Sequence, residues 1–113
     1  MSPIIYIGIN YDPSMMKRNR NLTIQQIVKI AVPVLKKKGV KKASLFGSYA
    51  RGDAKKRSDV DIIIQPPAGM GIEFVGIKLE LEEKLRKKVD LLTYKSIHPL
   101  LKEFILADEV RIL

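Results

Sequence analysis

The sequence turns on seven residues, Ser58-Asp59-Val60-Asp61-Ile62-Ile63-Ile64. The aliphatic run, closed by Pro66-Pro67, reads as a buried strand: β-branched side chains suit a pleated surface, and proline ends the ladder. Period-two geometry puts Asp59 and Asp61 on one face of that strand. Carboxylates held so close repel, and leaving them unpaired in an apolar setting is costly. A bound hard cation would relieve the repulsion. With no cysteine and a single histidine, the available ligands are oxygens, which suit Mg²⁺ or Mn²⁺. Asp90 lies between Val89 and Leu91 in a later apolar run. If the two strands are neighbours, it completes a three-carboxylate cluster able to hold two ions about 3.5–4 Å apart. The plainer alternative has Asp59 at a strand start, Asp61 paired with a Lys or Arg, and Asp90 in a turn.

Around this strand, hydrophobic spacing predicts the order α-β-β-α-β-α-β. Thr23 and Gln26 fit a capping box, and Ile24, Ile27, Val28, Ala31, Val34 and Leu35 repeat at helical spacing. Pro33 is expected to kink or break that helix one turn before its end, where Lys36, Lys37, Lys38 and Gly39 suit a C-terminus. Ala43 to Phe46 reads as a strand, and residues 49–58 as a turn of helix and a loop. A second helix is expected from Ile72 to Lys87, with Ile72, Val75, Leu79, Leu81 and Leu85 as its apolar positions. Val89 to Thr93 reads as a strand, Pro99 to Leu106 as a helix and Val110 to Leu113 as a short terminal strand.

Gly47-Ser48, at the exit of the first strand, shifts the balance between the two readings of the aspartates. Glycine lets the backbone approach a ligand closely, and the following turn can aim N–H groups and the Ser48 hydroxyl at a phosphate. The whole stretch, Gly47-Ser48-Tyr-Ala-Arg51-Gly52 through Ser58-Asp59-Val-Asp61, resembles the signature of the polymerase-β-type nucleotidyltransferase superfamily. Within it, the match is to the minimal nucleotidyltransferase (MNT) group of prokaryotic antitoxins, and it covers about residues 22–113. The resemblance implies an α/β nucleotidyltransferase palm: a mixed sheet of three or four strands with helices mainly on one face. It implies metal-dependent transfer of a nucleoside monophosphate from ATP or another NTP to an acceptor hydroxyl, releasing pyrophosphate. Gly47 and Ser48 would then hold the triphosphate, and Asp59 and Asp61 the Mg²⁺ ions. Asp90, in Val-Asp-Leu, would assist metal binding and deprotonation of the acceptor. Arg51 would either reach phosphate or tie its loop to an aspartate. Such proteins pair with a HEPN-domain toxin; some silence it by AMP transfer and others by complex formation alone.

Composition points to a soluble, cytoplasmic, basic domain. The chain has 113 residues, 21 Lys and Arg against 12 Asp and Glu, and a net charge of +9, which suits a polyanionic partner such as a nucleotide. Three Phe, four Tyr and no Trp provide no base-stacking platform, so nucleic acid is not the expected substrate. No apolar run approaches the roughly 20 residues of a membrane span, and the N-terminus lacks the basic region and cleavage site of a secretory signal. Residues 1–20 read as an extension, with a short strand over Ile4 to Ile9 and a second potential start at Met15 or Met16; residues 21–113 read as the catalytic domain. Tyr49 and Tyr94 flank the predicted site, with packing as their expected role, and His98 reads as a helix cap or surface residue. A domain this small leaves little room for an acceptor-binding subdomain. The acceptor is therefore expected on a partner protein or within an oligomer, with Phe104 to Leu106 and Val110 to Leu113 as an interface or as core.

Overall fold

The computed structural model describes residues 21–113, so the expectations for residues 1–20 lie outside the described residues. Helix α1 (Ile24–Lys37) begins with the capping box: Thr23 Oγ1 accepts the Gln26 N–H at 3.0 Å, and Gln26 Oε1 accepts the Thr23 N–H at 2.9 Å. It ends where Gly39, at φ +82°, turns the chain back. The N–H groups of Gly39 and Val40 then close on the Lys36 and Leu35 carbonyls, each at 3.0 Å. Pro33 does not break the helix, which runs on as α-helix to Lys37. Ala31, Val34 and Leu35 are buried along one face, and their packing outweighs the backbone bond that proline removes.

Four strands follow, β1 (Lys42–Phe46), β2 (Val60–Gln65), β3 (Val89–Thr93) and β4 (Val110–Arg111), in the sheet order β3-β2-β1-β4. β1 runs antiparallel to β2 and β4, while β2 and β3 are parallel. Parallel neighbours need a crossover, and helix α3 (Glu73–Leu85) supplies it. The short helix α2 (Gly47–Arg51) follows β1. A 3₁₀ turn (Tyr94–Ser96) and helix α4 (Pro99–Ala107) lead to β4. β4 is shorter than expected, although Ile112 and Leu113 still donate to the Ala43 carbonyl at 2.9 and 3.1 Å. His98 caps α4, its Nδ1 accepting the Leu100 N–H at 3.1 Å.

Alternation divides the sheet. Val60, Ile62 and Ile64, with Ala43, Leu45, Val89 and Leu91, pack beneath α1 and α3 as the main core. Phe46, Ile63 and Ile97 form a smaller cluster on the other face, partly covered by Ile105 and Leu106 of α4. Helix α3 differs from expectation in two respects. Its core-facing residues are Ile77, Leu81 and Leu85, leaving Ile72, Val75 and Leu79 exposed. It also stops at Leu85 rather than Lys87. Arg86 adopts the left-handed conformation (φ 60°), which reverses the chain in time to start β3.

Candidate active site

The functional signature gathers where β1 ends and β2 and β3 begin. Asp61 stands opposite Phe46 of β1 on one side and opposite Asp90 of β3 on the other. Asp61 and Asp90 therefore share a register position on adjacent parallel strands, and both point away from the main core. Asp59 lies one residue before β2, on the same face by alternation. Gly47 follows Phe46 directly, at φ +71°. A Cβ built there would collide with Asp61 Oδ2 and lie 3.0 Å from Asp61 Cγ. Only glycine lets the backbone pass this carboxylate.

Burial, and then the negative charges of Asp90 and Asp59, push the Asp61 carboxyl up to about 6, against a smaller opposing pull from Arg51. None of the three aspartates forms an ion pair among the described residues. Among the described residues Asp61 has no ion-pair partner, and Asp90 lies within a strand rather than a turn.

Ser48 sits half-buried in the first turn of α2, whose N-terminus carries no side-chain cap. Its carbonyl accepts from the N–H groups of Gly52 and Asp53 at 2.9 and 3.0 Å and starts the loop that leads to Asp59. Arg51 bonds Asp53 Oδ2 through Nε at 3.1 Å and Asp108 Oδ2 through Nη1 at 3.2 Å, tying α2 to the end of α4. This geometry matches the second of the two alternatives expected for it, a tie to an aspartate, and its charge is still felt at Asp61. Beside Gly47 and Arg51 opens a cavity of about 620 Å³, whose other wall is Glu103, Phe104, Ile105, Ala107 and Asp108 of the α4 region.

Residues 27–112 match the family model described as a nucleotidyltransferase domain. The chain belongs to the nucleotidyltransferase domain family. A protein of Methanocaldococcus jannaschii, named as a protein adenylyltransferase, is 50% identical over 93 residues, 81% of this chain and 100% of its own length. Among solved structures, a chain of a toxin–antitoxin pair with AMP-PNP superposes with TM-score 0.68 and 21% identity, over 76% of this chain and 72% of that one. A chain from the complex of the tri-AMPylated Shewanella oneidensis HEPN toxin with MNT antitoxin matches at TM-score 0.63 and 20% identity, over 79% and 71%. These likenesses place the fold among the minimal nucleotidyltransferases.

A divalent cation, implied by the family, can be tested against this nucleotidyltransferase's own residues. The donor chemistry fits: three carboxylates share one sheet face with no ion pair among the described residues, and burial together with the charges of Asp90 and Asp59 raises the Asp61 carboxyl. Their spacing is open. Among the described residues, no three carboxylate or histidine side chains converge tightly enough to enclose an ion. Asp59, Asp61 and Asp90 are thus the residues that would hold it.

The two tyrosines take no part in the site. Tyr49 is buried in the main core, and Tyr94 OH bonds Glu109 Oε2 at 2.7 Å and Ser44 Oγ at 2.9 Å, beyond the far end of β3. One residue beside the site escapes a reading by clusters of charge. Lys87 lies in the basic run Arg86-Lys87-Lys88 yet is buried. Its parity with Val89 and Leu91 is the signal that marks it as inward-facing.

Proposed function

We propose that this nucleotidyltransferase is the antitoxin of a HEPN-domain toxin and transfers AMP from ATP to a hydroxyl of that toxin in the cytoplasm. The observation that carries the reading is the pairing of Asp61 with Asp90 beside Gly47, the one described glycine whose added Cβ would collide with a neighbour, the Asp61 carboxylate. Gly47 and Ser48 hold the triphosphate along the first turn of α2. Asp59, Asp61 and Asp90 would hold Mg²⁺, with Mn²⁺ as a substitute, and the ion would supply positive charge against the triphosphate and polarise the α-phosphorus. The acceptor oxygen bonds to that phosphorus as the bridge to the β-phosphate breaks. Pyrophosphate leaves with the bridging oxygen, and the hydroxyl proton passes to a carboxylate oxygen of Asp90. The outer side of α4 supports a docked acceptor protein beside this chemistry: Leu100, Leu101 and Phe104 are exposed, and Phe104 lines the cavity that reaches Gly47. The name of the M. jannaschii relative, and the AMP-PNP and AMPylated toxin of the structural neighbours, support AMP as the group transferred.

The test uses Mg-ATP labelled separately at the α- and γ-phosphates, incubated with this protein and the toxin encoded beside it. Label should reach the toxin from the α- but not the γ-position, and disappear with Asp59→Ala/Asp61→Ala. A tight complex that survives the double substitution, with no transfer from either label, would replace the enzymatic reading with neutralisation by binding alone.

A further inference from the structure

Lys87 is the one fully buried charged side chain among the described residues, at 1% exposure. Burying an ammonium costs several kcal/mol unless it is well bonded, so an aliphatic residue would fill the space more cheaply. Its neighbours indicate what the charge achieves. Nζ donates to the Lys56 carbonyl at 2.6 Å and lies 5.9 Å from the centre of the Tyr49 ring. Those three residues belong to the three segments that build the site. Tyr49 stands in α2 beside Ser48. Lys56 lies in the turn that delivers Asp59, closed by Ser58 N–H to the Lys55 carbonyl at 3.0 Å and by Lys55 N–H to Ser58 Oγ at 2.8 Å. Lys87 itself precedes Asp90 by three residues.

The turn has little else to fix it, because Lys55, Lys56 and Arg57 all extend into solvent. The strand starts on either side are already held: Val60 N–H bonds the Lys88 carbonyl at 2.9 Å, and Glu82 Oε2 accepts the Val89 N–H at 3.0 Å. The Lys87–Lys56 bond extends this alignment one step further, from the paired strands to the segment carrying Asp59.

We propose that Lys87 is a positioning residue for the metal-binding carboxylates, clamping the 55–58 turn onto the start of β3 and so setting how Asp59 and Asp61 stand relative to Asp90. The inference rests on the assignment of those aspartates as metal ligands made under Proposed function. Lys87→Met keeps the apolar stem and removes the donor, whereas Lys87→Arg keeps a donor. Three quantities are measured on each: thermal midpoint, Mn²⁺ affinity by electron paramagnetic resonance without nucleotide, and transfer kinetics. Removing a residue that orients metal ligands typically costs about 10–100-fold in affinity or activity. Lys87→Met should therefore weaken Mn²⁺ binding and lower kcat by at least about 10-fold, with KM for ATP moving less than about 3-fold, and Lys87→Arg should recover most of both. Wild-type Mn²⁺ affinity and kcat in folded Lys87→Met would overturn the proposal, whatever happens to the thermal midpoint. If Lys87→Met does not fold, Lys87→Leu, which is apolar and also lacks the donor, carries the same comparison. A wild-type protein that binds Mn²⁺ but transfers nothing would sink the enzymatic reading alone, since Mn²⁺ affinity still decides the role of Lys87. A wild type that binds no Mn²⁺ would overturn both.

Discussion

On the face of the sheet covered by α1 and α3, Val60, Ile62, Ala43, Leu45, Val89 and Leu91 are all buried. One residue further along the same strands, the other face presents Phe46, Asp61 and Asp90, and of these only Phe46 is buried. The first face is apolar and closed by two helices. The second is only partly covered by α4, and it carries carboxylates that repel one another. Period-two alternation lets one strand serve both: the residues that stabilise the sheet also hold in place the charges that destabilise it. The stability of this fold should therefore reside on one face and its chemistry on the other.

Adjacent residues on opposite faces give the largest test. Ile62→Ala opens a cavity in the closed core and should cost about 2–5 kcal/mol in urea unfolding. Asp61→Asn should cost no stability in EDTA but reduce nucleotidyl transfer by three orders of magnitude or more, about 4 kcal/mol of transition-state stabilisation. Equal losses of stability in the two variants would break the division between faces. Gly47→Ala belongs with Asp61→Asn in its effect on transfer, for a steric reason. Its Cβ has nowhere to go but into Asp61, and φ +71° adds about 1–2 kcal/mol of strain. It should lose both activity and stability, which sets it apart from Asp61→Asn.

Much of the second face was legible in the sequence, because its residues are chemically out of place there: aspartates in an aliphatic run and a glycine at a strand exit stand out against their surroundings. The strands were legible for the same reason, since short apolar runs ended by Gly or Pro leave few alternatives. The helices gave less. Helix α3 carries apolar residues around most of its circumference, so periodicity alone did not separate buried Ile77 and Leu81 from exposed Val75 and Leu79. Pro33 signals a break that tertiary packing overrides. Lys87 looked like one more solvated cation because a charge run conceals the parity of its members, and its burial emerges only when the segment before β3 packs against Tyr49 and the 55–58 turn.

The apolar outer side of α4 predicts a smaller effect that appears only with a partner. Phe104 is 74% exposed, so Phe104→Ser should change the stability of the isolated protein by no more than about 0.5 kcal/mol. An aromatic anchor at an interface is worth about 2 kcal/mol or more, so the same substitution should weaken toxin binding by about 30-fold in titration calorimetry. Unchanged affinity would place the partner elsewhere and leave the cavity between Phe104 and Gly47 to a small ligand.

The smallest expected effect separates two kinds of carboxylate on the same face. Glu109 Oε2 accepts hydrogen bonds from Ser44 Oγ at 2.6 Å and from Tyr94 OH at 2.7 Å, and the Ser44 bond first of all holds its carboxyl below the ordinary glutamate value. A lowered carboxyl contributes stability above the unfolded-state pKa and loses it as pH falls through the folded value. Asp61 has the opposite sign. With its carboxyl raised to about 6, its contribution to the stability of the metal-free protein is fully present below about pH 4 and is lost as pH rises through 6. Because Asp61 is only half-buried, solvent screening limits that loss to about 1 kcal/mol. In EDTA, Asp61→Asn should therefore unfold at higher urea than wild type at pH 7, and the difference should close by about pH 4. Glu109→Gln should unfold at lower urea than wild type at pH 7, by about 1 kcal/mol, and approach it as pH falls below the ordinary glutamate range. Saturating Mg²⁺ should erase the advantage of Asp61→Asn and leave that of wild type over Glu109→Gln unchanged, because among the described residues Asp61 forms no ion pair, whereas Glu109 is held by Ser44 and Tyr94.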